Sequence, residues 1–208
     1  MSSTWRRFSL QRMISFTVSY THLDVYKRQV LILPLADFET GYRKGEALAE
    51  LVNYARQSNN GQAFSASTGF TLTDGSIRCA DASWIGTERI VALPKKEHKK
   101  FAAIVPDFII VLRSHLDSFD ALKRKMEDVW MANGVRLAWL IDPVKQKAYV
   151  YRQDESTAMV PDFTGKLSGE EVLPGFELEN GGKIQMTPSK RFDALIVLKK
   201  VKGPKYFE

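Results

Sequence analysis

The stretch that decides the fold is Pro106-Asp107-Phe108-Ile109-Ile110-Val111-Leu112-Arg113-Ser114. Five consecutive apolar residues in its middle predict a buried strand, with an aspartate near its start and an arginine near its end. Because side chains alternate between the two faces of a strand, Asp107, Val111 and Arg113 are expected on the same face. The stretch therefore places charged residues at both ends of an otherwise apolar element.

The sequence on either side of this strand predicts an α/β fold. Helical spacing of apolar residues predicts one helix over residues 45–57, and a second helix is expected from Asp117 or Ser118 to about Asn133, before Gly134. Further strands are predicted over residues 62–72, 77–85, 135–141 and 147–152 and within 171–178, and a short solvated helix over 95–100. The order of helix, three strands, helix and two strands predicts a mixed sheet with helices packed on it.

Composition limits the class of protein. The 208 residues fit one domain with a substantial core, and no apolar run approaches the roughly 18 residues that would indicate a membrane span. The single cysteine, Cys79, excludes an internal disulfide and indicates a reducing compartment, so a cytoplasmic location is expected. The three histidines lack the spacing of zinc ligands.

The two ends of the chain carry its positive charge. Residues 1–29 have a net charge of +4 (five basic, one acidic), 183–208 a net +5 (seven basic, two acidic), and 30–182 a net −3 (18 basic, 21 acidic). Residues 1–29 are expected to be a non-native or disordered extension, because Val18 to Gln29 resembles a translated adapter scar; a transit peptide is the alternative. The domain is expected over 30–182, followed by a basic extension that either grasps DNA or is only solvated.

Two further charged residues are candidates for chemistry. Asp81 stands between two alanines in the predicted strand 77–85, where a carboxylate is costly unless it is paired or bound to a metal. Lys125 lies at the edge of the apolar face of the second helix, from which it could reach over the sheet toward Arg113 and Asp81. Simpler structural roles stay open: Arg113 could pair with Asp81 or Asp117, and the stem of Lys125 could cover apolar surface.

Six segments of the chain form a combined pattern. They are residues Ser67–Phe70, Ala80–Ile85, Pro106–Ser114, Lys125–Glu127, Gly134–Pro143 and Val172–Phe176. By these segments the chain resembles the Uma-two family of endonucleases, a branch of the PD-(D/E)XK restriction-endonuclease-like superfamily. The similarity runs from about Gly41 to Phe176. The two strand motifs and the Lys-Met-Glu motif are fairly specific as a set, although each alone would be weak.

The resemblance implies a fold and a set of site residues. The fold would be restriction-endonuclease-like, with a mixed central sheet flanked by helices and an α-β-β-β-α-β core. Asp81 would bind a metal ion, Lys125 would act from its helix, and Arg113 could pair with phosphate. Asp107 matches a Pro-Asp pair of the family, and Glu50 on the first helix is a possible further carboxylate. Asp81, Asp107 and Glu50 are therefore the candidate metal ligands.

Position 111 is the main departure from the family. The resemblance implies a metal-binding glutamate there, whereas Val111 offers no oxygen to Mg²⁺, which requires oxygen ligands in near-octahedral geometry. Asp107 cannot simply fill that place, because it lies four residues earlier, about 13 Å along a strand. A minor departure is Ala80, where the family favours proline.

Two functions are expected from the resemblance. The first is a Mg²⁺-dependent endonuclease that hydrolyses DNA phosphodiester bonds, with Lys125 and Arg113 offsetting charge on the phosphoryl oxygens, and with activity impaired by Val111. The alternative is a catalytically inactive nuclease-fold module for nucleic-acid binding or assembly. A homodimer would suit the cutting of both strands, and no membrane contact is expected.

Overall fold

The described part of the chain falls into two units. The computed structural model describes residues 21–24, 29–32, 36–161 and 165–179. The first unit ends at Ala36 and contains an antiparallel pair of strands, β1 (Thr21–Asp24) and β2 (Gln29–Ile32). The second unit begins at Asp37 and contains the central sheet. The predicted basic extension over 183–208 lies outside the described residues, as do residues 1–20 and 25–28.

The helices of the second unit differ in length and type. The first, α1 (Phe38–Ser58), is 21 residues long. The following helical segments are α2 (Thr87–Ala92), a 3-10 turn (Glu97–Lys99), α3 (Phe119–Arg124) and a π-helix (Lys125–Met131) that continues α3. Among the described residues, no helix combines the length and the apolar character needed to cross a membrane.

Most strands of the second unit belong to one mixed sheet. In chain order the strands are β3 (Gly61–Ser65), β4 (Phe70–Thr71), β5 (Ile77–Arg78), β6 (Ala82–Gly86), β7 (Phe108–Leu112), β8 (Leu137–Asp142), β9 (Lys147–Arg152), β10 (Thr157–Val160), β11 (Lys166–Ser168) and β12 (Glu177–Glu179). The central sheet has the order β10-β9-β8-β7-β6-β3; β4 pairs with β5, and β11 with β12. Strands β7 and β8 are parallel and the other central pairs are antiparallel. The predicted mixed sheet and α-β-β-β-α-β core are confirmed.

One face of the central sheet is covered by α1. Phe108, Ile110 and Leu112 of β7 pack on this face, together with Ala47 and Leu51, both fully buried on α1. The spacing of these two helix residues is that of an apolar stripe, as the sequence predicts. This core therefore fixes α1 against the middle of the sheet.

The opposite face of the sheet is covered by the π-helix. Ile109 and Val111 of β7 pack there with Met126 and Trp130, which are fully buried. Strand β7 is thus buried on both faces, which explains why its sequence is a continuous apolar run rather than an alternating one.

Helix α1 begins at Phe38 rather than at the predicted Gly45. Asp37 caps it, because the Asp37 Oδ1 accepts a hydrogen bond from the Thr40 amide at 2.8 Å. That bond and a second one from the Thr40 hydroxyl lower the pKa of Asp37. The helix ends at Ser58, one residue beyond the predicted end, and its C-cap Asn59 has a left-handed backbone (φ 51°). The earlier start brings Lys44 into the helix.

The predicted strand over residues 77–85 is interrupted and forms β5 and β6. The Asp81 amide donates to the Ile110 carbonyl at 3.1 Å, although Ile110 is paired with Ala82 in the register. Two residues thus oppose one, as in a β-bulge, and the alternation of side chains fails there. Ala80 packs with the π-helix while Ala82 packs on the α1 face, whereas regular alternation over 77–85 would place both on one face.

The second predicted helix is confirmed, but half of it is of an unexpected type. The Ser118 hydroxyl caps α3 by accepting from the Ala121 amide. Gly134 ends the helical segment with φ of 94°, a conformation that glycine adopts without steric cost. From Lys125 onward the helix is π-helical. Single π-turns recur at functional sites, and this one starts at the predicted site lysine.

Shorter elements differ more from the predictions. Residues 95–100 contain only a 3-10 turn, while α2 forms just before them. The predicted strand over 62–72 divides into β3 and β4, and β10 and β11 were not predicted. Within 171–178 the strand β12 starts only at Glu177, because the chain turns at Gly175 (φ 80°).

We predict that Gly61→Ala destabilises the protein. A Cβ at Gly61 would lie 2.3 Å from the Trp84 ring and 2.5 Å from the Ile85 carbonyl oxygen. Overpacking of this kind typically costs about 1–3 kcal/mol. Urea unfolding followed by circular dichroism measures the change.

The matched control is Gly45→Ala, on α1. A Cβ there meets no atom within 4 Å, and alanine is favoured over glycine in a helix by roughly 0.5–1 kcal/mol. Gly45→Ala should therefore unfold at higher urea than the wild type. Equal midpoints for the two variants would contradict the close approach of β3 and β6.

Candidate active site

Three strands of the central sheet bring polar residues to the same edge. Because β7 and β8 are parallel, their carboxyl ends coincide, with Leu112 opposite Ile141. Strand β6 runs antiparallel to β7, so the residue before it lies at that edge too. Asp81, Arg113 and Asp142 therefore share what is called here the Asp81 end of the sheet.

Asp81 is held by two partners. Its Oδ2 accepts a hydrogen bond from the Leu112 amide at 2.7 Å, and its Oδ1 lies 2.8 Å from the Lys44 ammonium. The Asp81 side chain is 15% exposed and that of Lys44 is 26% exposed. Since the bulge reorients Asp81 relative to regular alternation, the carboxylate can meet a lysine from α1. Asp81 is thus a partly buried carboxylate with a lysine counter-ion.

Position 111 is a neighbour of this carboxylate. The amide bound by Asp81 belongs to the residue that directly follows Val111. The backbone next to position 111 therefore lies within hydrogen-bond distance of the Asp81 carboxylate. Val111 itself is 6% exposed and packs in the apolar cluster with Met126 and Trp130. Its side chain offers no oxygen to a cation.

Lys125 forms no ion pair with Asp81 in the described part of the chain. Lys125 is exposed at the junction of α3 and the π-helix, and Asp81 pairs with Lys44 instead. Burial raises the pKa of the Cys79 thiol; the charge of Lys125 lowers it, and that of Asp81 raises it. Both charges are therefore close enough to Cys79 to act on the same thiol.

Arg113 is the counter-ion of a different carboxylate. Its Nη1 donates to the Asp142 Oδ2 at 2.7 Å, and its Nε donates to the Asp117 carbonyl at 3.2 Å. The guanidinium also lies over the Phe119 ring, 5.9 Å from its centroid. The Asp142 side chain is fully buried, and a buried carboxylate without a partner is costly. Arg113 therefore forms a structural ion pair, but with Asp142 rather than with Asp81.

Asp107 lies at the opposite end of β7. Its Oδ1 accepts from Arg89 at 2.6 Å, its Oδ2 accepts from the Gly86 amide at 2.9 Å, and its side chain is 2% exposed. Leu112, whose amide binds Asp81, lies five residues after Asp107. Five residues span about 16 Å along a strand. The structure thus does not bring the predicted ligands Asp107 and Asp81 together. Asp107 instead stabilises the entry to the strand.

Glu50 lies farther along α1 than the residue that contacts Asp81. It is half-buried and six residues beyond Lys44, which is about 9 Å along the helix axis. Six residues also correspond to a rotation of roughly 240° around the helix. The contact between Lys44 and Asp81 therefore does not bring Glu50 beside that carboxylate.

The side chains at the Asp81 end do not fit a bound divalent metal. Among the residues that the structure describes, no three His, Cys, Asp or Glu side chains converge as a metal site. Asp81 supplies one carboxylate, already facing an ammonium group, and Val111 supplies none. Mg²⁺ prefers several oxygen ligands, including one or two carboxylates. The predicted ligand set of Asp81, Asp107 and Glu50 does not assemble.

Two residues of this end were not singled out from the sequence. Lys44 lies one position before the predicted start of the first helix, although its spacing of three from Ala47 and seven from Leu51 places it on the same stripe. Asp142 follows the predicted strand 135–141, and an acid at the end of a continuous apolar strand is a signal for a buried ion pair.

Comparison with solved structures supports the fold. The chain is similar to the crystal structure of a "putative nuclease belonging to DUF820" from Anabaena variabilis, with a TM-score of 0.61 and 18% identity, over 74% of this chain and 84% of that one. At this identity the likeness shows the fold alone. A cryo-EM structure of a DrdV–DNA complex matches with a TM-score of 0.33 and 9% identity, over 59% of this chain and 12% of that one, which carries no argument. No curated protein matches.

The match to one protein family covers more than three quarters of the sequence. Residues 21–181 match the Uma2 family, whose description is "Putative restriction endonuclease". The match starts inside the segment 1–29 that was expected to be an extension, and it includes every residue of the Asp81 end. The resemblance drawn from the motifs is confirmed, and the chain belongs to the Uma2 (Uma-two) family.

Proposed function

We propose that this chain is a nuclease-like protein that binds DNA at the Asp81 end of the sheet and cleaves it poorly, because Val111 stands where a metal-binding glutamate is expected. The observation that carries the proposal is the hydrogen bond between Asp81 and the amide that follows Val111. It holds Asp81 beside the backbone next to position 111, where the resemblance implies a second metal ligand, and of these two side chains only Asp81 supplies an oxygen.

The proposed contact with DNA uses the side chain of Lys125. Lys125 is exposed and carries no ion pair with Asp81. Its ammonium group can donate to a phosphate oxygen as a compact point charge. Arg113 contributes less in this proposal, because its guanidinium is already directed at the buried Asp142.

Impaired cleavage follows from the side chains that remain. Hydrolysis of a phosphodiester needs groups that activate water and stabilise the charge that develops on the phosphate. In the family pattern a metal ion held by two carboxylates would supply that chemistry. Here Asp81 faces Lys44 and has the apolar Val111 as its neighbour instead of a second carboxylate, which favours slow cleavage. Mg²⁺-dependent cleavage by the wild-type chain is the competing proposal, and a nicking assay decides between the two.

We predict that Val111→Glu increases plasmid nicking in Mg²⁺. A tenfold rate increase corresponds to about 1.4 kcal/mol of transition-state stabilisation, and a restored carboxylate should provide at least that much. EDTA should abolish the gain. Adding Asp81→Ala or Lys125→Ala to Val111→Glu should also remove it, whereas Asp120→Ala, an exposed acid on α3, should not. Wild-type nicking as fast as that of Val111→Glu would show that the valine does not impair the site.

We predict that Mg²⁺ raises the melting temperature of Val111→Glu but not that of the wild type. Glutamate at this buried position should destabilise the protein in EDTA, because a carboxylate without a partner is costly there. An ion that binds only the folded protein then restores part of the loss. Thermal melts with Mg²⁺ or EDTA give the result. An equal response of the two proteins to Mg²⁺ would place the 111 side chain away from any metal site.

We predict that Lys125→Ala weakens DNA binding and its salt dependence. Loss of one phosphate contact should reduce the slope of log K against log [salt] by about one. Fluorescence anisotropy with a labelled duplex in EDTA separates binding from cleavage. Lys95→Ala is the matched control, since Lys95 is exposed and follows α2, which leaves the sheet at the opposite end. Equal slopes for wild type and Lys125→Ala would refute the proposed contact.

A further inference from the structure

We infer that the Lys44 ammonium takes the place of a metal cation at Asp81, so that the site carries a resident positive charge instead of a divalent ion. The inference rests on the proposed function only in taking Asp81 as the position that would hold a metal. The inference goes beyond the proposed function by assigning a role to Lys44, a residue outside the motifs that carry the family resemblance. It also concerns metal binding rather than DNA.

The geometry places the ammonium where a cation would contact the carboxylate. Lys44 Nζ lies 2.8 Å from the Asp81 Oδ1, while the Oδ2 accepts from the Leu112 amide. Both carboxylate oxygens therefore already have a partner. The pair is largely shielded from water, since the two side chains are 26% and 15% exposed. Shielding strengthens the attraction between the two charges relative to a surface pair.

Val111, the neighbour of Asp81, also favours the Lys44 ammonium over a divalent ion. Val111 provides no second oxygen, so a divalent ion at Asp81 would find one carboxylate and a positive charge beside it. An ammonium needs only hydrogen-bond acceptors and a single negative charge, and Asp81 provides both. Lys44 and Val111 together thus favour a monovalent counter-ion over Mg²⁺.

The alternative is that Lys44 and Asp81 form a purely structural ion pair. Removing the charge of Lys44 distinguishes this alternative from the inference. If the ammonium occupies the place of the ion, removing its charge must improve metal binding once a second carboxylate is present. If it only fastens α1 to the sheet, removing it must weaken the fold without any gain in metal affinity.

The test uses the full chain with Mn²⁺ as the probe, measured as free Mn²⁺ by electron paramagnetic resonance at low salt. The proteins are the wild type, Val111→Glu, and Val111→Glu combined with Lys44→Gln or with Lys44→Arg. The combination with Lys44→Gln should bind Mn²⁺ at least tenfold more tightly than Val111→Glu alone. The combination with Lys44→Arg, which keeps the charge, should bind no more tightly than Val111→Glu alone.

Two controls make the outcome decisive. Val111→Glu with Lys95→Gln removes the same charge far from Asp81 and should match Val111→Glu, and circular dichroism shows whether each variant is folded. Equal Mn²⁺ affinity of Val111→Glu with and without the added Lys44→Gln substitution would overturn the inference. So would Mn²⁺ binding by the wild type that is lost in Asp81→Asn. Failure of DNA binding in the anisotropy assay would refute the proposed function while leaving this result intact.

Discussion

The pairing of β7 with its two neighbours is the constraint on which the rest of the structure depends. Parallel pairing with β8 and antiparallel pairing with β6 bring Asp81, Arg113 and Asp142 to one edge of the sheet. The same strand is buried on both faces, by α1 on one side and by the π-helix on the other. Because a buried strand cannot slip by one residue without exchanging its faces, the positions of the polar residues at its ends are fixed.

Each carboxylate at the ends of β7 meets a basic side chain of the same chain. Asp81 faces Lys44, Asp142 faces Arg113, and Asp107 faces Arg89. Buried or partly buried carboxylates require such partners, since removal from water penalises an isolated charge. In a metal site, by contrast, several carboxylates converge on the ion, which supplies the positive charge between them. The Asp81 end has the first arrangement, although the family pattern leads one to expect the second.

The elements that position the site could be predicted from the sequence, whereas the partners of its residues could not. Continuous apolar runs identified β7 and β8, and alternation identified β9, because burial leaves a direct imprint on composition. The β-bulge at Asp81 left no such signal: the residues around it alternate regularly, and only the register with Ile110 reveals that two residues oppose one. Lys44 was missed because the helix was expected to begin one residue later, and capping by Asp37 extended it.

The central claim is that the charges of Asp81 and Lys125 both act on one half-buried residue, Cys79, and the pKa of its thiol tests this most directly. The chain has no other cysteine, so the rate of thiol alkylation against pH at low salt reports this site alone. Asp81→Asn should lower the thiol pKa and Lys125→Gln should raise it, while Lys95→Gln should leave it unchanged. If neither Asp81→Asn nor Lys125→Gln changes that pKa, the two charges do not both act on the thiol, and the account is wrong.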